Sequence, residues 1–271
     1  NKFPVTTGAY DTSFNRAQDV FAVKLNASGT SLVYATYLGG SQTERASDIA
    51  VDSAGRAYIT GWTNSSDFPA VAADSAFSSY RGGDADVFVA KLNSAGSALD
   101  YSMYVGGSDT EMGYAIAVDA QGYAYVTGLT ESSNFPLRLA IDYNLNGDAD
   151  AFVTYVRPDG SSLFYSTYLG GANNELAYGI AVDAAGRNVY IVGATNSTDF
   201  PVTAGAADTS YNGGSVDAFV TKLDGVGRRV YGTYLGYSGA EQGYAIAFDS
   251  AGNAYVNGAI GNDVVTKISA S

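Results

Sequence analysis

The chain contains no cysteine and no histidine. The first absence excludes disulfides and thiol nucleophiles. The second excludes imidazole general-base chemistry. Together they exclude a Ser-His-Asp triad and any Cys/His zinc site. Charged residues make up only 15% of the 271, and acids outnumber bases 27 to 14, a net charge of −13. An acidic surface repels polyanions, which argues against nucleic acid and anionic membranes as partners. No apolar run approaches the roughly 20 residues of a membrane-spanning helix. No signal-peptide pattern is visible, and the start at Asn1-Lys2-Phe3-Pro4 suggests a processed protein or an excised domain. What is plentiful is glycine (33), tyrosine (22) and apolar material (46%). That composition reads as turn-rich β-structure with enough hydrophobic mass for a core.

Four copies of one pattern run through the chain. Ile49-Ala50-Val51-Asp52 recurs from Ile116, Ile180 and Ile246, at steps of 67, 64 and 66 residues. Tyr37-Leu38-Gly39-Gly40 recurs as Tyr104-Val105-Gly106-Gly107, Tyr168-Leu169-Gly170-Gly171 and Tyr234-Leu235-Gly236-Tyr237, in the same steps. Phe68-Pro69, Phe135-Pro136 and Phe200-Pro201 keep the spacing, and Phe3-Pro4 is a further copy. Several anchors sharing one period mark a repeat architecture. Each period holds four candidate strands. The first is the Ile-Ala-Val-Asp run, and a tight Gly-containing turn leads to the second, Ala57–Gly61. After a long Ser/Asn/Pro connection the third, Asp86–Leu92, alternates with period two, and the fourth is Leu99–Val105.

Four short strands per repeat predict an all-β fold, a β-propeller of four blades with four antiparallel strands each. The repeats fall at approximately 1–67, 68–134, 135–199 and 200–271 of a single domain. The N-terminus supplies a third strand (Asp19–Leu25) and a fourth (Leu32–Leu38). The C-terminus supplies a first at Ile246, a second at Tyr255 and a shortened third, Asp263–Ile268. Closure of the ring by joining the two chain ends in one sheet is therefore expected. Asp263–Ile268 would lie beside the last second strand, with Asp19–Leu25 as an extra outer strand. Five blades with one incomplete, and a fragment of a larger propeller, are the alternatives.

The segments Asp217-Ala218-Phe219-Val220-Thr221-Lys222-Leu223, Tyr165-Ser166-Thr167-Tyr168-Leu169-Gly170-Gly171, Tyr178-Gly179-Ile180-Ala181-Val182-Asp183 and Asn64-Ser65-Ser66-Asp67-Phe68-Pro69 together resemble the SBBP β-propeller repeat family over nearly the whole chain. The resemblance implies a bacterial secreted or cell-surface protein. It carries no catalytic motif to transfer.

Glu44, Glu111, Glu175 and Glu241 recur five residues before each first strand, and Asp52, Asp119, Asp183 and Asp249 end it. In a propeller these sets fall near the two mouths of the axis. The glutamates are candidate ligands for an axial Ca²⁺, since converging carboxylates need a cation, raised pKa values or their own donors. The aspartates are read as structural repeat acids, and the third-strand acids Asp19, Asp86, Asp150, Asp217 and Asp263 as strand-start hydrogen-bonding groups. The tyrosine pairs 34/37, 101/104, 165/168 and 231/234 put their two rings on opposite faces of the fourth strand; blade-to-blade packing is the favoured reading, and a solvent-facing ring that stacks on a sugar or anchors a partner is the alternative. Trp62 departs from Leu129, Ala194 and Ala259 at its repeat position. With Arg81, Arg138 and Tyr211 of the long connections it is a candidate ligand contact. Asn26, Asn64 and Asn196 fit the N-glycosylation pattern.

The expected role is a non-enzymatic extracellular scaffold, adhesion or protein-interaction propeller, with a surface assembly or homo-oligomer as its setting and a protein or glycan as partner. A lectin-like propeller is the alternative. A two-carboxylate polysaccharide hydrolase or lyase ranks third.

Overall fold

The structure, a computed structural model, describes residues 3–15, 18–260 and 264–268, with side chains as far as residue 259. Seventeen strands follow in chain order among the described residues: β1 (Val20–Leu25), β2 (Leu32–Leu38), β3 (Glu44–Val51), β4 (Ala57–Thr63), β5 (Asp86–Leu92), β6 (Leu99–Val105), β7 (Glu111–Val118), β8 (Ala124–Thr130), β9 (Asp150–Val156), β10 (Leu163–Leu169), β11 (Glu175–Val182), β12 (Asn188–Thr195), β13 (Asp217–Asp224), β14 (Arg229–Leu235), β15 (Glu241–Phe248), β16 (Ala254–Ile260) and β17 (Val264–Ile268). Every pairing between these strands is antiparallel between sequence neighbours. The all-β propeller reading holds. Blades β3–β6, β7–β10 and β11–β14 have four strands, a last blade β15–β17 has three, and β1–β2 form a two-stranded sheet ahead of them. Asp263 lies outside the described residues.

The core lies between blades. Val87, Val89, Tyr101, Met103 and Val105 of one blade meet Ile116, Val126, Phe152 and Tyr168 of the next, and the following junction repeats the arrangement. Both faces of a blade are thus covered, which is why β5 and β9 are buried at all seven positions. The sheet β1–β2 stacks as the outer half of a blade. Its Val20, Ala22, Tyr34 and Leu38 pack on Ile59, Phe88 and Tyr104. Tyr34 contacts Gly96 as Tyr101 contacts Gly160, ring against a glycine turn with no room for a Cβ.

Each first strand carries a bulge at Ser47, Tyr114, Tyr178 or Tyr244, where the register against the second strand slips. Opposite it sits a glycine: Gly61, Gly128, Gly193 or Gly258. The bulged tyrosines form a row along the innermost strands, Tyr114 to Tyr178 at 5.5 Å and Tyr178 to Tyr244 at 5.6 Å between ring centroids.

The pairings of the described strands do not place the two chain ends in one sheet. Among the described residues β1 and β2 pair in no sheet but their own, and β17 holds the edge of β16. Side-chain exposure gives the physical sign of it. Ile116 and Ile180 are 4% and 9% exposed under the preceding blade, whereas Ile49, with no second strand in front of it, is 51% exposed.

Candidate functional site

The repeated glutamates are not gathered into a metal-holding group among the described residues. Each is the first residue of an innermost strand and buried, and Glu44, Glu111 and Glu175 are each fastened by donors of their own. Glu111 Oε1 accepts from Thr130 Oγ1 at 2.6 Å and Oε2 from the Gly107 amide at 2.8 Å. Glu44 has the same partners in Thr63 (2.7 Å) and Gly40 (3.1 Å), and Glu175 in Thr195 and Gly171 (2.8 Å). Among the described residues no group of three or more acidic side chains is placed to hold a metal ion.

What each glutamate does meet is the third-strand aspartate of the preceding blade. A Cβ built on Gly106 would lie 2.5 Å from Asp86 Oδ1 and 2.6 Å from Glu111 Oε2, so both oxygens border the space that glycine leaves open. The same trio recurs as Gly39/Asp19/Glu44, Gly170/Asp150/Glu175 and Gly236/Asp217/Glu241. The first glycine of the Tyr-x-Gly pattern is therefore required by a carboxyl pair. In each aspartate Oδ2 accepts a backbone amide, from Asn15, Arg81, Asn146 or Asn212. Oδ1 is buried without a hydrogen-bond partner in all four. Burial pushes Asp86 up to about 7 and Asp150 up to about 8, with Glu111 and Glu175 respectively adding like charge, while backbone amides pull the other way. Burial also raises Asp19, Asp217, Glu111 and Glu175. Two carboxyls are far short of the six to eight oxygens Ca²⁺ takes. One proton between them is the better fit: a protonated Asp Oδ1 becomes the donor that the facing Glu oxygen accepts.

Replacing Thr130 by valine leaves Glu111 Oε1 buried without its donor. Urea titration is expected to show a loss of about 1–3 kcal/mol, largely recovered in Thr130→Ser.

The acids that end each first strand bond locally, within their own turns. Asp119 Oδ1 accepts from the Gln121 and Tyr123 amides and Oδ2 from Tyr125 Oη. Asp52 adds Arg56 at 2.6 Å, the one ion pair among the described residues, and Asp183 and Asp249 close equivalent turns.

The fourth-strand tyrosines pack inside the fold rather than facing solvent. Tyr34, Tyr101, Tyr104, Tyr165, Tyr168 and Tyr234 are buried, so they offer no ring to a sugar. Tyr104, Tyr168 and Tyr234 each donate to a serine carbonyl in the Asn/Ser loop of their own blade, at 2.7, 2.6 and 2.8 Å. Asn64 and Asn196 cap the neighbouring loop through their Oδ1 atoms, which hold the Thr43 and Asn174 amides.

Of the candidate contacts, Trp62 is half-buried under the Arg45 guanidinium, 5.5 Å from its ring centroid. Tyr211 donates to the Gly214 carbonyl and packs edge-on to Tyr234. Arg81 is exposed, and its guanidinium turns back to the Ala76 carbonyl. Arg138 is exposed, and its backbone bridges Ser166. The four are not brought together. Beside Arg138, however, Leu139 is 65% and Tyr143 64% exposed, with Ile141 between them also open to solvent. Leu139 holds a left-handed backbone (φ 50°), rare for a branched residue. Sequence reasoning missed this apolar strip. Its signal was there: the strip departs from the repeat, as Trp62 does.

Three segments, residues 33–69, 100–136 and 165–201, match the family model described as SBBP, beta-propeller repeat. Each runs from a fourth strand to the Phe-Pro of the next blade and so contains the glycine and the glutamate of one carboxyl pair, the aspartate lying upstream. The fourth copy, which no matched segment covers, has Tyr237 for the second glycine and Ile260 for the threonine, and Glu241 Oε2 is left without a partner. No curated protein matches the chain. Among solved structures it is similar to a mutant of the Synechocystis apocarotenoid oxygenase (11% identity, TM-score 0.38, 90% of this chain and 55% of the other). A glucose dehydrogenase (12%, 0.32, 86% and 84%) and BamB from Moraxella catarrhalis (13%, 0.28, 91% and 78%) are also similar. The chain spans about half the length of the oxygenase.

Proposed function

We propose that this chain, which carries SBBP beta-propeller repeats, is a protein-interaction propeller that binds rather than catalyses, on the surface of a bacterial cell or outside it. The carrying observation is the strip Leu139–Tyr143. The recurring acids and tyrosines are committed to holding blades together, while this one loop of the middle blade turns three apolar side chains outward on a strained backbone. Exposed apolar side chains next to an exposed arginine are the composition of a protein contact. The absence of cysteine and the excess of acids support a setting outside the cell.

The test is binding of the purified chain to intact bacterial cells. Binding should survive saturating free sugars, vanish when the cells are treated with protease, and fall at least about tenfold in Leu139→Ser/Tyr143→Ala with the melting temperature unchanged. Competition by sugars, or binding that persists after protease, would put the lectin reading in its place.

A further inference from the structure

Of the four carboxyl-pair junctions, the last is built differently. At the first three, the glutamate oxygen that faces the aspartate already holds a backbone amide, from Gly40, Gly107 or Gly171. The fourth lies between the blade β11–β14 and the blade β15–β17. There, among the described residues, Glu241 Oε2 has no hydrogen-bond partner, and neither has Asp217 Oδ1. Asp217 is wholly buried and Glu241 is 1% exposed. Two unpartnered carboxylate oxygens thus border one buried space. They also stand farther back from the glycine between them. A Cβ on Gly106 would lie 2.5 Å from Asp86 Oδ1 and 2.6 Å from Glu111 Oε2, whereas one on Gly236 would lie 3.2 Å from Asp217 Oδ1 and 3.1 Å from Glu241 Oε2.

Further oxygens reach the same place from the connection between β12 and β13. Asp208-x-Ser210-x-Asn212-Gly213 sets its oxygen-bearing side chains two residues apart ahead of a glycine, the spacing with which calcium loops present their ligands. The Asn212 backbone amide donates to Asp217 Oδ2 at 2.7 Å, which holds this loop against the pair. The Asn212 side chain lies between Asp208 and Gly236. Its Nδ2 donates to Asp208 Oδ2 and, at 3.2 Å, to the Gly236 carbonyl. A neutral amide group therefore stands where two oxygens, one of them charged, face a common point. Half a turn of that amide presents Oδ1 in place of Nδ2.

We propose that this junction binds one Ca²⁺, which takes the place of the Asn212 Nδ2 group and fastens the blade β15–β17 to the blade before it. Its ligands are Asp208 Oδ2, Asn212 Oδ1, the Gly236 carbonyl, Asp217 Oδ1 and Glu241 Oε2, and water completes the six to eight oxygens that Ca²⁺ takes. With Nδ2 in the ion's place the three acids are not gathered on one point. A shared proton suits the first three junctions. Here three carboxylates surround the space, and one proton leaves most of their charge unbalanced. The ligands come from irregular loops, which suits Ca²⁺ better than the strict octahedron of Mg²⁺. The first junction has the same loop, Asp11-x-Ser13-x-Asn15, and its Asn15 Nδ2 meets the Gly39 carbonyl at 3.4 Å. Its Glu44, however, is committed to Thr63 and Gly40, so that junction is the control. The calcium ligands share no residue with the Leu139–Tyr143 strip, and either reading can fail without the other.

The test is calorimetric titration of Ca²⁺ into the chain after stripping with chelator. One site per chain is expected, with a Kd at or below about 10⁻⁴ M. Asp208→Asn and Glu241→Gln, both close in shape to the native residues, should each weaken binding at least about tenfold, since ligand charge sets the affinity. Glu44→Gln at the control junction should leave it unchanged. Asp208 is only half-buried, so Asp208→Asn decides the matter if Glu241→Gln disturbs the junction. Melting gives a second readout. At a hundredfold excess of Ca²⁺ over Kd the native chain should melt about 5 °C higher than in chelator, and the two variants should respond far less. Absence of binding at about 1 mM Ca²⁺ overturns the proposal. So does binding that Asp208→Asn and Glu241→Gln leave intact, which would put the ion elsewhere.

Discussion

Melted at pH 5 and again at pH 8, the protein is expected to be more stable in the acid buffer. The cause is the buried carboxyl pairs. Unfolded, Asp86 and Asp150 titrate near 4. Folded, they titrate at about 7 and about 8. Between those limits the folded chain holds protons that the unfolded chain has lost, so stability falls as pH rises. The contribution is fully present below about pH 4 and exhausted above about pH 8. Each pair is worth on the order of a few kcal/mol over that window. Opposite in sign are Asp52, Asp183 and Asp249. Burial raises the first two, but hydrogen bonds from Arg56 and Tyr58 and from Arg187 and Asn188 outweigh it. Asp249 is held at about 2, chiefly by the Asn253 side chain. Their support is lost only below about pH 4. The two sets together put the optimum near pH 4–5, close to the sequence pI of 4.2, where charge self-repulsion is also least. Asp86→Asn checks the assignment. Its amide can donate to Glu111 at any pH, so the variant should melt higher than the native protein at pH 8 and show a flatter pH profile. An Asn variant that keeps the native slope would remove Asp86 as the source.

The blades were legible because each anchor of the repeat has a single physical job. Ile-Ala-Val-Asp is an inner strand plus its turn. Asp-x-Phe-Val is a strand with both faces buried, and Phe-Pro ends the loop that the outer tyrosine clamps. The carboxyl pairs were half legible. The period showed that the glutamates belong together as a set. It could not show that each one's neighbour is an aspartate from the preceding blade, 25 residues earlier in the chain for Asp86 and Glu111. Placing them at the axis followed from taking the first strand to begin at Ile49. It begins at Glu44, and the bulge at Ser47 reorients what precedes it. How the two ends of the chain meet was not legible for a related reason. Counting strands establishes that a third strand is duplicated, but not how far each blade rotates on the one before it. That angle is set by side-chain packing at the junctions.

The largest single-residue effect is expected from Gly128→Ala. Gly128 faces the bulge of β7 in the middle blade, and an added Cβ would sit 1.8 Å from the Met112 carbonyl oxygen and 3.0 Å from the Gly113 Cα. Both contacts are backbone, so no rotamer change relieves them. The strand pair must separate or the bulge must move. Moving the bulge would drag Tyr114 out of its row with Tyr178, and Glu111 away from Thr130. Overpacking of a built core costs about 1–3 kcal/mol, and more where the neighbour cannot give. Here both elements are buried between two blades, so the upper end or beyond is expected, with a fall in urea midpoint and no gain from lowering the pH. The same substitution at Gly258 meets the Gln242 carbonyl at 2.1 Å, a nearly identical clash. Among the described residues no blade stacks beyond that last one, so the strand can shift outward. Its loss should be clearly smaller than at Gly128. Equal losses at the two positions would mean that the bulge geometry alone sets the cost. A difference in the stated direction assigns the excess to burial between blades.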